Sequence, residues 1–211
     1  MSLGLLDNLN PGIRDLHPYE PGRSIDEVMN DYGHKEVIKL ASNENPLGAS
    51  PKALERIDGQ HQNFHLYPDG NGSKLKVAIA KHENVKKENI ILGNGSNEIL
   101  ELAARAFLNP KASAIASCHA FIVYKIVTQS CGATLIEVPA HNWGHHLQDF
   151  SAHVKEDTRV IFIANPNNPT GTYNSHKEVH QLLTKIPSSV LVVLDCAYFE
   201  YVKKSDYVNP L

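Results

Sequence analysis

The chain has 211 residues, 42% of them hydrophobic, and a formal net charge of −3, enough for one large domain or one and a half around a sizeable core. That charge gives no electrostatic basis for binding nucleic acid, no apolar run of about 18 residues offers a membrane span, and no basic-then-apolar leader opens the chain. Cys118, Cys131 and Cys196 fit neither a disulfide framework nor metal-site spacing, so a reduced, cytoplasmic protein is expected.

Met1-Ser2-Leu3 carries no weight, and residues 10–21, with Pro11, Pro18 and Pro21, read as an extended arm. Residues 24–32 suit a short helix with Ser24 as N-cap and Glu27 closing a capping box. The run E-V-I-K-L at 36–40 reads as a strand, followed by Asn43, Glu44 and Asn45 just before Pro46. Three adjacent polar side chains at a strand end are costly to bury without partners, so they face a loop or a ligand. A turn built from Asn and Pro is the alternative. Y-P-D-G-N-G at 67–72 is a turn cluster leading into an amphipathic helix at 73–82, with Leu75, Ala78 and Ile79 on one face.

Residues 89–92 read as a strand, then G-N-G-S-N-E at 93–98, then a helix at 99–107. A glycine loop opening a helix is an anion site, because unpaired amides and the helix dipole both favour negative charge there. A dinucleotide fingerprint would need a third glycine where Glu98 stands and an acidic residue near Cys118 and His119. A single phosphate on the amides of Ser96 and Asn97 is the better reading, beside an ordinary glycine turn with Ser96 as N-cap.

Residues 112–117 form the next expected strand, and a helix then runs to Ser130. An aromatic just past the strand end, Phe121, can lie against a flat ring, or it and Tyr124 are simply that helix's core face. For Tyr124 the core reading is taken. Residues 134–138 are another strand. The histidine-rich stretch 141–146 has no cysteine or acidic companion at ligand spacing and reads as a solvated loop. His176 and His180 do not make a metalloprotease motif either, since Lys177 stands where Glu is needed.

Two short apolar runs without alternation, 159–164 and 189–194, suit strands buried on both faces of a parallel sheet. Between them, 175–186 has helical spacing, with Val179, Leu182, Leu183 and Ile186 on one face. The strands end in N-P-N-N-P-T-G (165–171) and D-C-A-Y (195–198). Ligands in open α/β sheets bind beyond the carboxyl ends of strands, so Asn168 and Asp195 should face one crevice. An amide donor and a carboxylate there suit a pyridine ring carrying a phenolic oxygen, with its nitrogen held protonated.

These two motifs resemble those of fold-type I pyridoxal-phosphate aminotransferases. With L-A-S-N-E-N-P-L-G (40–48), Y-P-D-G-N-G and G-N-G-S-N-E, the chain is similar to the histidinol-phosphate aminotransferases from about Pro18 onward. The resemblance implies an α/β fold, a mostly parallel sheet with helices on both faces. It divides the chain into an arm and part of a small domain (1–35) and a pyridoxal-phosphate-binding large domain (36–211). It implies amino-group transfer between an amino donor, histidinol phosphate, and a 2-oxo acid, in histidine biosynthesis and in a homodimer. Ser96 and Asn97 would hold the phosphate, Phe121 would stack on the ring, Asn168 and Tyr198 would meet the phenolic oxygen, and Asp195 the ring nitrogen. Tyr67 would reach a neighbouring subunit's phosphate, and Tyr19, Asn43 and Glu44 would line the substrate side. An arm packing on a partner subunit is the other reading of Tyr19's segment.

The family's Schiff-base lysine lies after the D-x-A-Y strand in a serine-lysine motif, beyond the last residue here, Leu211. The expectation is therefore an N-terminal fragment, inactive alone. Cys196 stands where the family has an acidic residue, a change expected to tune binding. Two alternatives stay open: decarboxylation of an amino-acid phosphate on the same scaffold, and a folded fragment without catalysis.

Overall fold

The computed structural model describes residues 9, 10, 12–58 and 65–207; Met1-Ser2-Leu3 and Leu211 lie outside them. Contacts divide the chain into two units, Met1–Tyr19 with Glu88–Leu211, and Glu20–Lys87.

The first unit is a four-stranded, wholly parallel sheet in the order β2-β1-β3-β4. Its strands are β1 (Ser113–Ser117), β2 (Thr134–Val138), β3 (Thr158–Ala164) and β4 (Leu191–Asp195). Sequence periodicity is absent from β3 because both its faces are covered. Val160, Phe162 and Ala164 join one buried cluster, Ile161 and Ile163 the other. The first cluster is closed by α4 (Gly95–Phe107) and α5 (Val123–Ser130), through Leu100, Ala104, Val123, Tyr124 and Val127. The second is closed by α6 (Leu147–Ala152) and α7 (His176–Leu183), through Leu147, Phe150, Val179 and Leu182. Helices therefore lie on both faces, as the doubly covered strands require. Ser175 caps α7 through a complete capping box with Glu178.

One irregularity interrupts the sheet. Ser113 pairs with Thr158, but Ala114 pairs with Val160, so Arg159 is the extra residue of a bulge. The buried hydroxyls of Ser113 and Thr158 hydrogen-bond each other at 3.1 Å beside it, and Ser113 Oγ donates to Asp157 at 3.0 Å.

The unit Glu20–Lys87 holds α1 (Ile25–Tyr32), α2 (Pro51–Ile57) and α3 (Ser73–Glu83). Ser24 and Glu27 form the expected capping box. Asp69 accepts from the amides of Ser73 and Asn71 at 2.8 and 3.0 Å, and so organises the turn before α3.

The expected strands at 36–40 and 89–92 do not form. A strand exists only by pairing with a neighbour, and neither segment has one among the described residues: Ile38 and Ile91 are 80% and 77% exposed. Residues 12–16 make tight turns rather than a helix, as the prolines of the arm imply. No helix among the described residues is long and apolar enough to cross a membrane.

Candidate functional site

The carboxyl ends of β3 and β4 and the start of α4 meet at a small cavity of about 50 Å³, lined by Ser96, Phe121, Ala164, Pro166, Asn168, Asp195, Ala197 and Tyr198. A more open groove of about 390 Å³ adjoins it and shares Ser96, Asp195 and Ala197. The cavity alone is too tight for a substituted ring with a phosphate arm; the groove supplies the room.

Asp195 is the last residue of β4, so the strand delivers its carboxylate to the crevice. The Tyr124 hydroxyl donates to Oδ2 at 2.9 Å, and the Ala197 amide donates to Oδ1 at 3.2 Å. Tyr124 is 1% exposed, stacked on Phe162 (centroids 5.0 Å apart, planes 6° apart) and meeting Phe121 edge-on at 5.9 Å. Burial first, and the neighbouring Asp195 charge second, push its phenol far above the ordinary range, so Tyr124 stays a hydrogen-bond donor at every working pH. The core reading of Tyr124 was half of the truth: the ring packs, and the hydroxyl holds the carboxylate. Nothing in the sequence separates a core tyrosine from one whose oxygen surfaces at a strand end 71 residues away.

The polar residues of 165–174 divide by role. Asn165 is wholly buried; its Nδ2 donates to the Asn174 carbonyl at 3.0 Å and its Oδ1 accepts from the Asn174 amide at 2.8 Å. Asn167 donates to the His119 carbonyl and to Thr170 Oγ1 at 3.0 and 2.8 Å. Asn174 Nδ2 donates to the His145 carbonyl at 2.9 Å. Three asparagines thus shape the loop, and Asn168 is the one that lines the cavity. Two prolines within the loop follow cis bonds, Asn165–Pro166 and Asn168–Pro169.

The glycine loop is itself the first turn of α4, which begins at Gly95 rather than at Ile99. Ser96 is therefore not the N-cap; that position is Asn94, which makes no side-chain cap. Ser96 and Asn97 are the second and third helical residues, where amides precede any in-helix acceptor. Gly95 adopts φ 72°, a left-handed conformation open to glycine at little cost.

The half-buried Cys196 thiol is pushed up to about 11, chiefly by burial, so it stays neutral beside Asp195 and adds no second charge. His145, 7% exposed, lies behind the loop with its ring against the Ala164 backbone and the Asn167 side chain. Burial lowers it to about 4.

Of the residues singled out in the sequence, Ser96, Phe121, Asn168, Asp195 and Tyr198 converge on one cavity. Asn97 is exposed beside Ser96 on the first turn of α4. Tyr19 is 53% exposed. Tyr67, Asn43 and Glu44 belong to the other unit. There Tyr67 is fully exposed, and Glu44 pairs with Lys39 at 2.7 Å. Asn45 makes the turn that Asn and Pro foretold, accepting from the Leu47 amide and donating to the Gly48 carbonyl at 3.0 and 3.1 Å.

The fold and the sequence have counterparts. The family model described as aminotransferase class I and II matches residues 35–210. A histidinol-phosphate aminotransferase 2 of Pseudomonas fluorescens is 50% identical over 213 aligned residues, covering 100% of this chain and 58% of that protein. One of Methylococcus capsulatus is 48% identical over 207, covering 95% and 56%. A crystal structure of histidinol-phosphate aminotransferase from Sinorhizobium meliloti, in complex with pyridoxal-5'-phosphate, superposes with a TM-score of 0.85 at 24% identity, over 95% of this chain and 54% of that one. The chain spans somewhat more than half the length of these relatives.

Proposed function

The chain belongs to the class I and II aminotransferases, and from that we propose that it carries the cofactor-binding part of a pyridoxal-phosphate-dependent histidinol-phosphate aminotransferase. The observation that carries the reading is the cavity at the ends of β3 and β4, where a carboxylate, an amide, a phenol and a flat aromatic converge beside the free amides of a helix start.

That donor set fits pyridoxal phosphate. Asp195 would pair with the ring nitrogen, Asn168 and Tyr198 would donate to the phenolic oxygen, Phe121 would cover one face of the ring, and Ser96 and Asn97 would hold the phosphate. When bound, the cofactor supplies an electron sink for a carbanion at the substrate α-carbon. The chain's own contribution is to orient and to hold a proton in place. Tyr124 and the Ala197 amide fix the two oxygens of Asp195, so its charge is preorganised where a cationic ring nitrogen would lie. The apolar Ala164, Pro166 and Phe121 exclude water from that contact.

The substrates on this reading are histidinol phosphate as amino donor and a 2-oxo acid as acceptor, in cytoplasmic histidine biosynthesis. Tyr19, Asn43 and Glu44 would face the substrate. Tyr67, fully exposed, would serve the phosphate of a second copy, which makes the working unit a homodimer. The 50% identity to histidinol-phosphate aminotransferases across the chain supports this choice over decarboxylation of an amino-acid phosphate.

The test is direct. A full-length protein containing this chain, supplied with pyridoxal phosphate, should form glutamate from 2-oxoglutarate only when histidinol phosphate is present, and the 211-residue chain alone should form none. Release of carbon dioxide from a phosphorylated amino acid would move the reading to a decarboxylase, and neither product would leave a folded fragment without catalysis. Asp195→Asn should cut turnover by about a hundredfold or more, the scale of losing a preorganised charge, while the unfolding midpoint moves little. Equal losses in both would make Asp195 structural.

A further inference from the structure

We propose that His141, His146 and Asp149 bind a divalent transition-metal ion, of the kind represented by Zn²⁺ and Co²⁺, on the surface behind the 165–174 loop. The stretch 141–146 carries no acidic residue, which is why it reads as a solvated loop in sequence. The structure supplies the acid from outside it, one turn into α6, and brings one ligand atom from each of the three residues within 4.8 Å of the others.

Two ion pairs share one carboxylate oxygen, which brings three potential ligand atoms together. His141 Nε2 and His146 Nδ1 approach the same carboxylate oxygen, Asp149 Oδ2, at 3.2 and 2.9 Å. Tetrahedral ligands at metal bonds of about 2.0–2.1 Å sit roughly 3.3 Å apart, so both spacings need only small adjustment. His146 Nδ1 is buried, and its polar neighbour there is the Asp149 carboxylate, 2.9 Å away.

The backbone holds this arrangement. His141 and Gly144 bridge each other across a two-residue turn in which Asn142 and Trp143 both take positive φ, 49° and 64°. Trp143 is a bulky side chain in a conformation that costs energy outside glycine and asparagine. The turn folds His141 back so that its ring stacks on that of His146, with centroids 4.4 Å apart. His146 is the N-cap of α6, and Asp149 is in its first turn. Two imidazoles and one carboxylate select zinc, cobalt, nickel or copper over magnesium or calcium, and a three-ligand site leaves a position for water.

The chain carries its own reporter. Trp143 is the only tryptophan, two residues from one ligand and 67% exposed. Paramagnetic Co²⁺ at the site should quench its fluorescence saturably, at one ion per chain, and Zn²⁺ should restore it by displacement. His141→Ala and Asp149→Asn, both outside the cavity at Asp195 and neither buried, should each weaken the quench midpoint by about tenfold or more, with circular dichroism unchanged. The control is His176→Asn with His180→Asn, which removes the stacked pair on α7 and should leave the midpoint where it was. The proposal is overturned by quenching that never saturates, by quenching that survives both ligand variants, or by quenching that disappears with the α7 pair instead.

Discussion

The units Glu88–Leu211 and Glu20–Lys87 are built from the same kinds of local signal and differ in what those signals are attached to. Each contains a helix with a complete Ser-x-x-Glu capping box, Ser175 with Glu178 and Ser24 with Glu27. In the first unit the capped helix buries Val179 and Leu182 against a sheet. In the second, no described residue is buried, and Leu40, Leu47, Leu54 and Ile57 are 95%, 92%, 54% and 61% exposed. Short helices are marginal in water without tertiary packing. The comparison teaches that caps place helices while burial stabilises them.

The largest effect that would break this comparison concerns the core. Phe162→Ala removes a ring that is 0% exposed and stacked on Tyr124, and should cost about 3–5 kcal/mol. Leu54→Ala, in α2, should cost less than about 0.5 kcal/mol. Denaturant midpoints of the two variants check both values. A comparable loss from each would mean that Leu54 is packed in solution, and the contrast between the units would fall.

A second effect sharpens the account of the packed unit through pH. His145 is lowered to about 4 by burial, below an ordinary histidine value near 6.5. The folded state therefore refuses a proton that the unfolded chain accepts. Stability from this residue is fully present above about pH 6.5 and is lost as pH falls toward 4, by roughly 3 kcal/mol over the whole window. Melting points measured from pH 7 down to 4.5 should fall less steeply in His145→Gln than in the parent. Parallel slopes would mean that the ring titrates normally, and that Asn167 behind the loop does not depend on it.

What could be read from sequence follows the same division. Strands β3 and β4 were legible because strands covered on both faces read as apolar runs without alternation, and that pattern needs no knowledge of partners. The runs at 36–40 and 89–92 also carry β-branched and apolar residues, but strand formation is a property of a pair, and no neighbour is present among the described residues. At the site, Asn168 and Asp195 were legible because strand ends in such sheets point to ligands. Tyr124 was missed because a helical i, i+3 pair with Phe121 has the same signature whether or not the hydroxyl emerges at Asp195. Asp149 was missed because a turn of α6 carries it back onto a histidine pair from outside their run. The two short helices α2 and α6 offered too few turns for a periodic signal.

The smallest effect isolates the caps themselves. Ser175→Ala and Ser24→Ala delete the same side chain from the same motif, and each frees one helical amide, a change worth about 1 kcal/mol where the helix is part of the folded core. For Ser175 that cost enters the global unfolding energy, because α7 cannot leave without exposing Val179 and Leu182. For Ser24 it enters only the local equilibrium of α1, which buries nothing. Unfolding followed by Trp143, which reports on Glu88–Leu211, should therefore shift by about 1 kcal/mol for Ser175→Ala and by less than about 0.3 kcal/mol for Ser24→Ala. Amide exchange in α1 should quicken in the second variant while α7 is untouched. A full global shift from Ser24→Ala would show that α1 unfolds together with the sheet, which requires the exposed apolar surface of its unit to be covered in solution.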